Sequence, residues 1–199
     1  MVKTIEQKYK ELSEQQHVIL RPNMYVGSIK PELSTQFVFD YKEQIMVQKE
    51  VEYVPGILKL IDEVISNSCD EYRRPDNLGL TNVSVTVMKD NTIVIEDNGG
   101  IPVVKHKDAG VMLPRFIFGR LRTSSNYNDD EDRAGLGQNG IGASLTAIFS
   151  SYFGVMTDDG KKRWVGNWKN NMSEFYDEEI EKSSKKNHGI RIKIGRAHV

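Results

Sequence analysis

The sequence predicts an α+β domain, a sheet backed by helices with an arm at its front. Two observations carry this. A strong helical stretch at residues 57–73 is followed by period-two alternation at 83–88 and 92–96. Further strand-like runs at 152–156, 163–168 and 190–192 come without helices interleaved regularly between them, so a doubly wound parallel sheet does not fit. The 199 residues suit one domain with a real core, or one domain plus an arm.

The elements follow in order. Residues 5–20 are polar, charged and helical in pattern, and Arg21-Pro22-Asn23-Met24-Tyr25-Val26-Gly27-Ser28 breaks them with a proline and a glycine. Residues 36–41 and 45–48 read as short strands or an irregular connection. Pro55 and Gly56 open the long helix. Lys89-Asp90-Asn91 joins the runs 83–88 and 92–96 as a hairpin. Residues 114–121 form a short helix, and 123–142 a long polar loop rich in Gly, Ser, Asn and Asp. A loop of that length inside a compact domain is usually functional. Residues 143–149 read as a buried helix. Asp158-Asp159-Gly160 is a turn between two strands.

Composition sets limits. Hydrophobic residues make up 38% and charged residues 28%, a globular balance. No apolar run reaches membrane-spanning length, and the opening residues lack a signal-peptide core. The single cysteine, Cys69, excludes an internal disulfide and fits a reducing compartment. The net charge of −1 does not recruit DNA, so any DNA groove is expected outside this segment.

Three motifs carry chemistry. Glu63, Asn67 and Asp70 sit at i, i+4 and i+7, one face of the long helix. Ile57, Ile61 and Ile65 form a second face suited to a sheet, with Leu60 and Val64 flanking the polar stripe. A glutamate so placed can orient and deprotonate a water. The asparagine offers a neutral oxygen to Mg²⁺. The aspartate can tie down a neighbouring loop. Taken alone, the stripe suits a solvated amphipathic helix better. Next, Thr92-Ile93-Val94-Ile95-Glu96 runs into Asp97-Asn98-Gly99-Gly100-Ile101-Pro102. A carboxylate at a strand end can accept from an exocyclic amine such as adenine N6, and the glycines admit a flat ring. A plain turn is the alternative. Last, Thr123-Ser124-Ser125-Asn126 and Gly135-Leu136-Gly137-Gln138-Asn139-Gly140-Ile141-Gly142 bracket the long loop ahead of Ala143-Ser144. Glycines at a helix N-terminus expose N–H groups to an anion. A flexible glycine loop is the alternative here, and the segment is neither a Walker loop nor a dinucleotide fingerprint.

The order of the three motifs resembles the GHKL (Bergerat) ATPase fold. Arg21-Pro22-Asn23-Met24-Tyr25-Val26-Gly27-Ser28, Tyr53-Val54-Pro55-Gly56-Ile57-Leu58-Lys59, Ile101-Pro102-Val103-Val104-Lys105-His106-Lys107 and Leu121-Arg122-Thr123-Ser124-Ser125-Asn126-Tyr127 resemble type II DNA topoisomerases, closest to their eukaryotic, viral and phage branch. The resemblance spans residues 5–168. It implies a sandwich with a mixed β-sheet, an N-terminal arm at 1–28, an ATP-binding domain at 29–193, and ATP with Mg²⁺ as ligands. It implies Glu63 as general base, Asn67 as the Mg²⁺ ligand and Asp97 on adenine, with Asp70, Gly100 and Ile101 beside them. Ser124, Ser125 and Asn126 are implied on phosphate or ribose, and Gly137, Gln138, Asn139, Gly140, Ile141, Gly142, Ala143 and Ser144 around the triphosphate. It further implies a nucleotide-driven dimer gate with a second copy, DNA reached through domains outside the chain, no membrane, and a cytoplasmic or nuclear location, including a virus-infected host cell. Other GHKL ATPases, or a non-catalytic nucleotide-dependent dimerisation module, are the rivals.

The chain departs from the family in three places. The turn lacks the family's basic residue and reads Gly99-Gly100 directly, which leaves Glu71 short of a partner. Gly189-Ile190 stands where bacterial relatives carry a threonine. The family's phosphate-contacting lysine belongs to a following transducer domain. Residues 194–199 resemble a translated sequencing adapter and are expected to be non-native, a genuine exposed terminus being the alternative. His17, His106, His188 and His198 lack metal-ligand spacing. Trp164 and Trp168 share a strand face and are expected in the core. Residues 177–186 are expected as a solvated loop.

Overall fold

The computed structural model describes residues 9, 11–74, 79–123, 140–183 and 188–195. Its elements in order are α1 (Glu14–Leu20), a 3₁₀ turn (Pro22–Met24), β1 (Glu32–Asp40), β2 (Ile45–Tyr53), α2 (Pro55–Arg73), β3 (Val83–Val87), β4 (Ile93–Asp97), α3 (Leu113–Gly119), α4 (Gly142–Ile148), β5 (Tyr152–Asp158), β6 (Lys162–Lys169), β7 (Glu174–Lys182) and β8 (Gly189–Ile194). β1 and β2 pair as a separate two-stranded ribbon, and the other six strands form one sheet in the order β3-β4-β8-β5-β6-β7. The α+β class holds. The sheet expected to be mixed is antiparallel in every pairing among the described residues.

Alternation along the strands decides which face is dry. Directly opposed residues form rows across the sheet: Ile93, Ile194, Phe153 and Trp168 in one, Ile95, Ile192 and Val155 in the next. Together with Val64 of α2, Phe118 of α3 and Ala143 and Ala147 of α4 they make the main core. On the opposite face Arg191 meets Glu96 at 2.6 Å in a half-exposed ion pair. The helices therefore cover one face of the sheet. A second cluster joins Val18 and Val26 to Leu60, Leu145, Ile148 and Phe149, so residues 18 and 26 seat against α2 and α4 of their own chain.

Local chemistry explains most boundaries. Ser13 caps α1 in a reciprocal box with Gln16, so this helix starts at Glu14 with residues 11–13 outside it, and residues 5–8 and 10 of the expected helical stretch lie outside the described residues. Pro55 sits in the first turn of α2, where its missing N–H costs nothing. The buried stripe of α2 is Gly56, Leu60, Val64 and Ser68, spaced four apart. Ile61 and Ile65, expected on a face suited to a sheet, are partly buried beside it and pack against the sheet core. The short strands anticipated at 36–41 and 45–48 extend into a nine-by-nine ribbon.

One strand escaped the sequence. Residues 177–182, expected as solvated loop, belong to β7. Phe175 pairs with Trp168 and Ile180 with Trp164, although five residues separate the two apolar side chains. A simple period of two puts them on opposite faces. The register shifts between Val165 and Asn167, and Asp177 takes up the extra residue at φ 51°. This bulge reverses the parity. Ile194, assigned by sequence to the non-native tail, ends β8 and is buried opposite Phe153.

Trp164 is the largest fully buried side chain and contacts Trp168 and Phe175 by its ring. Its indole nitrogen donates to Glu178 Oε1 at 3.0 Å, which satisfies the one polar atom. Trp164→Ala leaves a cavity, while Glu178 keeps its pairing with Arg115, and should cost about 3–5 kcal/mol in chemical denaturation. A loss below 1 kcal/mol would show that the aromatic cluster does not anchor the β6–β7 edge.

Candidate nucleotide site

Glu63, Asn67 and Asp70 lie along α2, with Glu63 and Asp70 half-buried and Asn67 exposed. The helix is anchored below this stripe by Leu60 and Val64, each of which contributes about 1.5–3 kcal/mol by leaving water. α4 crosses α2 next to it, and Thr146 Oγ1 donates to the Leu60 carbonyl at 3.0 Å. This crossing sets Gly142, the first residue of α4, against the Glu63 side chain. A Cβ on Gly142 would stand 2.0 Å from Glu63 Oε2 and 2.9 Å from its carboxyl carbon. A side chain at 142 would have to displace the end of Glu63, so the glycine lets the carboxylate stand directly against the start of α4. No side chain caps α4, and its first intrahelical bond is Leu145 N to the Ile141 carbonyl at 2.8 Å.

The second motif is tightly built. Asp97 ends β4 and accepts from Ser68 Oγ at 2.7 Å and from Gly99 N at 2.9 Å. Burial pushes its carboxyl above the ordinary range, against the hydrogen bonds from Ser68, Gly99 and Gly100, which favour the ionised form. Asn98 Oδ1 accepts from Thr81 N and Asn82 N, at 2.9 and 2.8 Å, and ties the shortened turn to the start of β3. Gly100 takes φ +94°, and a Cβ there would lie 2.6 Å from the Asp158 carbonyl. Beyond it, Ile101 N donates to Thr157 Oγ1 and Val103 N to Asp159 Oδ2, both at 2.8 Å. The end of β5 thus staples the segment that follows Asp97.

The third motif is described only at its ends. Ser124, Ser125, Asn126, Gly137, Gln138 and Asn139 lie outside the described residues. The described ends meet: Thr123 N donates to the Gly140 carbonyl at 3.1 Å. Gly140, Ile141 and Gly142 therefore sit where the loop returns to α4. Ser144 is fully buried, and its hydroxyl donates to the Arg120 carbonyl at 2.6 Å, tethering α4 to the end of α3. That hydroxyl is committed to the fold, and Ala143 is likewise buried.

Two departures resolve physically. Glu71 lies 3.4 Å from Arg74, so the last turn of α2 supplies a cation where the turn lacks one. Ile190 stands between Asp97 and Thr157 in one row of the sheet. A hydroxyl is present on that face, one strand further along.

Sequence reasoning missed Lys59, Ser68 and Thr157. Lys59 Nζ is 2.6 Å from Glu63 Oε1. Its i, i+4 spacing from Glu63 was the available signal. Ser68 could have been found as the polar member of the buried stripe. Thr157 carried no signal, because its role depends on how β5 lies against the turn.

The raised carboxyl of Asp97 has a signed consequence. The folded chain holds that proton more tightly than the unfolded chain, so Asp97's contribution to stability falls as pH rises through the window above 3.8 and then levels off. Thermal unfolding of the wild type and Asp97→Asn across acidic pH should show the wild type losing ground as pH rises. A pH-independent difference would show that Asp97 is not desolvated.

No family model matches the chain. DNA topoisomerase 2 of Drosophila melanogaster is 38% identical over 179 residues, which are 89% of this chain and 12% of the relative. That of Arabidopsis thaliana is 38% identical over 192 residues, 96% of this chain and 13% of the relative. DNA topoisomerase 2-beta of Homo sapiens is 42% identical over 173 residues, 85% of this chain and 10% of the relative. The chain thus spans about an eighth of the length of the first two relatives. The ATPase region of Saccharomyces cerevisiae topoisomerase II matches with a TM-score of 0.92 at 32% identity, over 97% of this chain and 51% of that one. The ATPase and transducer domains of DNA topoisomerase II from Balamuthia mandrillaris match with a TM-score of 0.92 at 35% identity, over 98% and 51%. Likeness this deep in both sequence and backbone, over nearly all of its length, makes the chain a member of the type II DNA topoisomerase family, in the N-terminal ATPase region of those enzymes.

Proposed function

We propose that the chain binds ATP with Mg²⁺ where α2, the end of β4 and the start of α4 meet, and hydrolyses it. In the whole protein this site drives a dimer gate that lets one DNA duplex pass through a transient break in another. The carrying observation is the contact of Glu63 with Gly142. It sets a potential general base beside the start of a helix whose first-turn N–H groups, without a side-chain cap, suit a terminal phosphate.

The residues divide the work by chemistry. Asp97, oriented by Ser68 and Gly99, accepts the exocyclic amine of adenine. Gly100 and Ile101 wall the base, with Asp70 on the adjoining turn of α2. The backbone of Gly140, Ile141, Gly142, Ala143 and Ser144 serves the phosphates, joined in this proposal by Ser124, Ser125, Asn126, Gly137, Gln138 and Asn139. Among the described residues no group of three or more His, Cys, Asp or Glu could hold a metal. Mg²⁺ needs no such cage, since it takes one or two protein oxygens with water and phosphate for the rest. The exposed Asn67, one turn from Glu63, fits that donor role. When bound, the metal supplies neutralisation of phosphate charge. Glu63 orients the water and takes its proton. Among the described residues no helix is long and apolar enough to cross a membrane.

Two substitutions test this in the full-length protein. Glu63→Gln keeps the shape and the contact with Gly142. It should retain a non-hydrolysable ATP analogue in calorimetry with Mg²⁺, while turnover falls by about 10²–10⁴-fold. Undiminished turnover would remove Glu63 as base. Gly142→Ala is favoured by helix propensity alone, by about 1 kcal/mol, yet it displaces the Glu63 carboxylate. It should lower turnover without unfolding the chain. Wild-type turnover in Gly142→Ala would mean that the contact is incidental.

A further inference from the structure

We propose that Lys59 is the positioning residue that holds the Glu63 carboxylate in its working orientation, an inference that rests on Glu63 being the base. Lys59 lies one turn before Glu63 on α2, and its Nζ is 2.6 Å from Oε1. The other oxygen, Oε2, is the atom that abuts Gly142. The two oxygens therefore have distinct neighbours: one is fixed by an ammonium, and the other faces the start of α4. A glutamate has three rotatable bonds, and packing against a single glycine does not select among its rotamers. The ammonium does so, because its charge-assisted bond can be made only when Oε1 turns back along the helix.

The pairing is not a general surface ion pair. The Glu63 side chain is 22% exposed, and that of Lys59 is 46% exposed. A pair on the helix surface adds little stability, and with lysine on the N-terminal side it has the weaker orientation. Its effect is on direction. The bond to Glu63 raises the Lys59 ammonium above its ordinary value, so it stays charged throughout the working range of pH. Asp62, 3.9 Å from the same Nζ, is the only other acid that the structure pairs with Lys59 among the described residues, and it sits on the solvent side.

The test uses the full-length protein with Lys59→Met, Lys59→Arg and Glu63→Gln side by side. Turnover, KM for ATP and calorimetric affinity for a non-hydrolysable analogue are measured for each. Lys59→Met should lose about 10–100-fold in kcat, as removal of an orienting partner does, with KM and analogue affinity unchanged. Lys59→Arg should recover most of the loss. Unchanged kcat in Lys59→Met, equal losses in both Lys59 variants, or a loss carried by KM or by unfolding would each overturn the proposal. Wild-type turnover in Glu63→Gln would instead overturn the base assignment, and the role of Lys59 with it. An inactive Glu63→Gln beside a fully active Lys59→Met would overturn Lys59 alone.

Discussion

The crossing of α2 and α4 is the constraint on which the site depends. Leu60 belongs to α2 and Leu145 and Ile148 to α4, and they share one buried cluster with Val18 and Val26. Thr146 adds a hydrogen bond from α4 to the backbone of α2. Gly142 opens α4 beside this crossing, and the neighbour a Cβ there would meet is the Glu63 side chain. The fold thus converts apolar burial, which has no direction, into a contact between one acid and one helix start.

Much of the architecture was legible because its alternation is simple. β4, β5, β6 and β8 place apolar residues at every second position, and α2 announces itself by Pro55 and by its apolar spacing. Legibility failed where parity breaks. In β7 a single bulge at Asp177 brings Phe175 and Ile180 to one face, and no count along the sequence reveals a bulge. The most buried stripe of α2 was harder to read. Apolar spacing picks out the isoleucines at 57, 61 and 65, of which 61 and 65 pack against the sheet core, and not a stripe that contains Gly56 and Ser68. Burial follows the neighbours: Ser68 is inside because Asp97 accepts its hydroxyl there.

The site divides in the same way. Glu63, Asp97 and Gly142 were visible because their chemistry is carried by residue type and spacing. Thr157 was not, because it acts by where β5 lies against the turn, whereas Lys59 and Ser68 carried signals in the spacing along α2 that went unread. Ser144 shows the converse. Its residue type suits a phosphate, yet its hydroxyl is taken by the Arg120 carbonyl. A hydroxyl near a glycine loop is therefore a weak guide until its partner is known, since serine bonds to nearby backbone as readily as to a ligand.

The two ends of the site are held by opposite means. At Asp97 nearly every polar atom has a fixed partner: Ser68 and Gly99 on the carboxylate, Thr157 and Asp159 on the backbone beyond it. A desolvated carboxylate would be costly without such partners, and with them it is a rigid acceptor of fixed direction. At α4 the first-turn N–H groups have no side-chain cap, and the preceding loop closes on itself through Thr123 and Gly140. Rigid donors and acceptors discriminate between ligands because a mismatch leaves them unpaired. Uncommitted N–H groups instead gain their partners when an anion arrives. In the proposed reading, recognition of the base and response to the phosphates fall to different ends of the site. Glu63, placed between Lys59 and Gly142, stands at the α4 end.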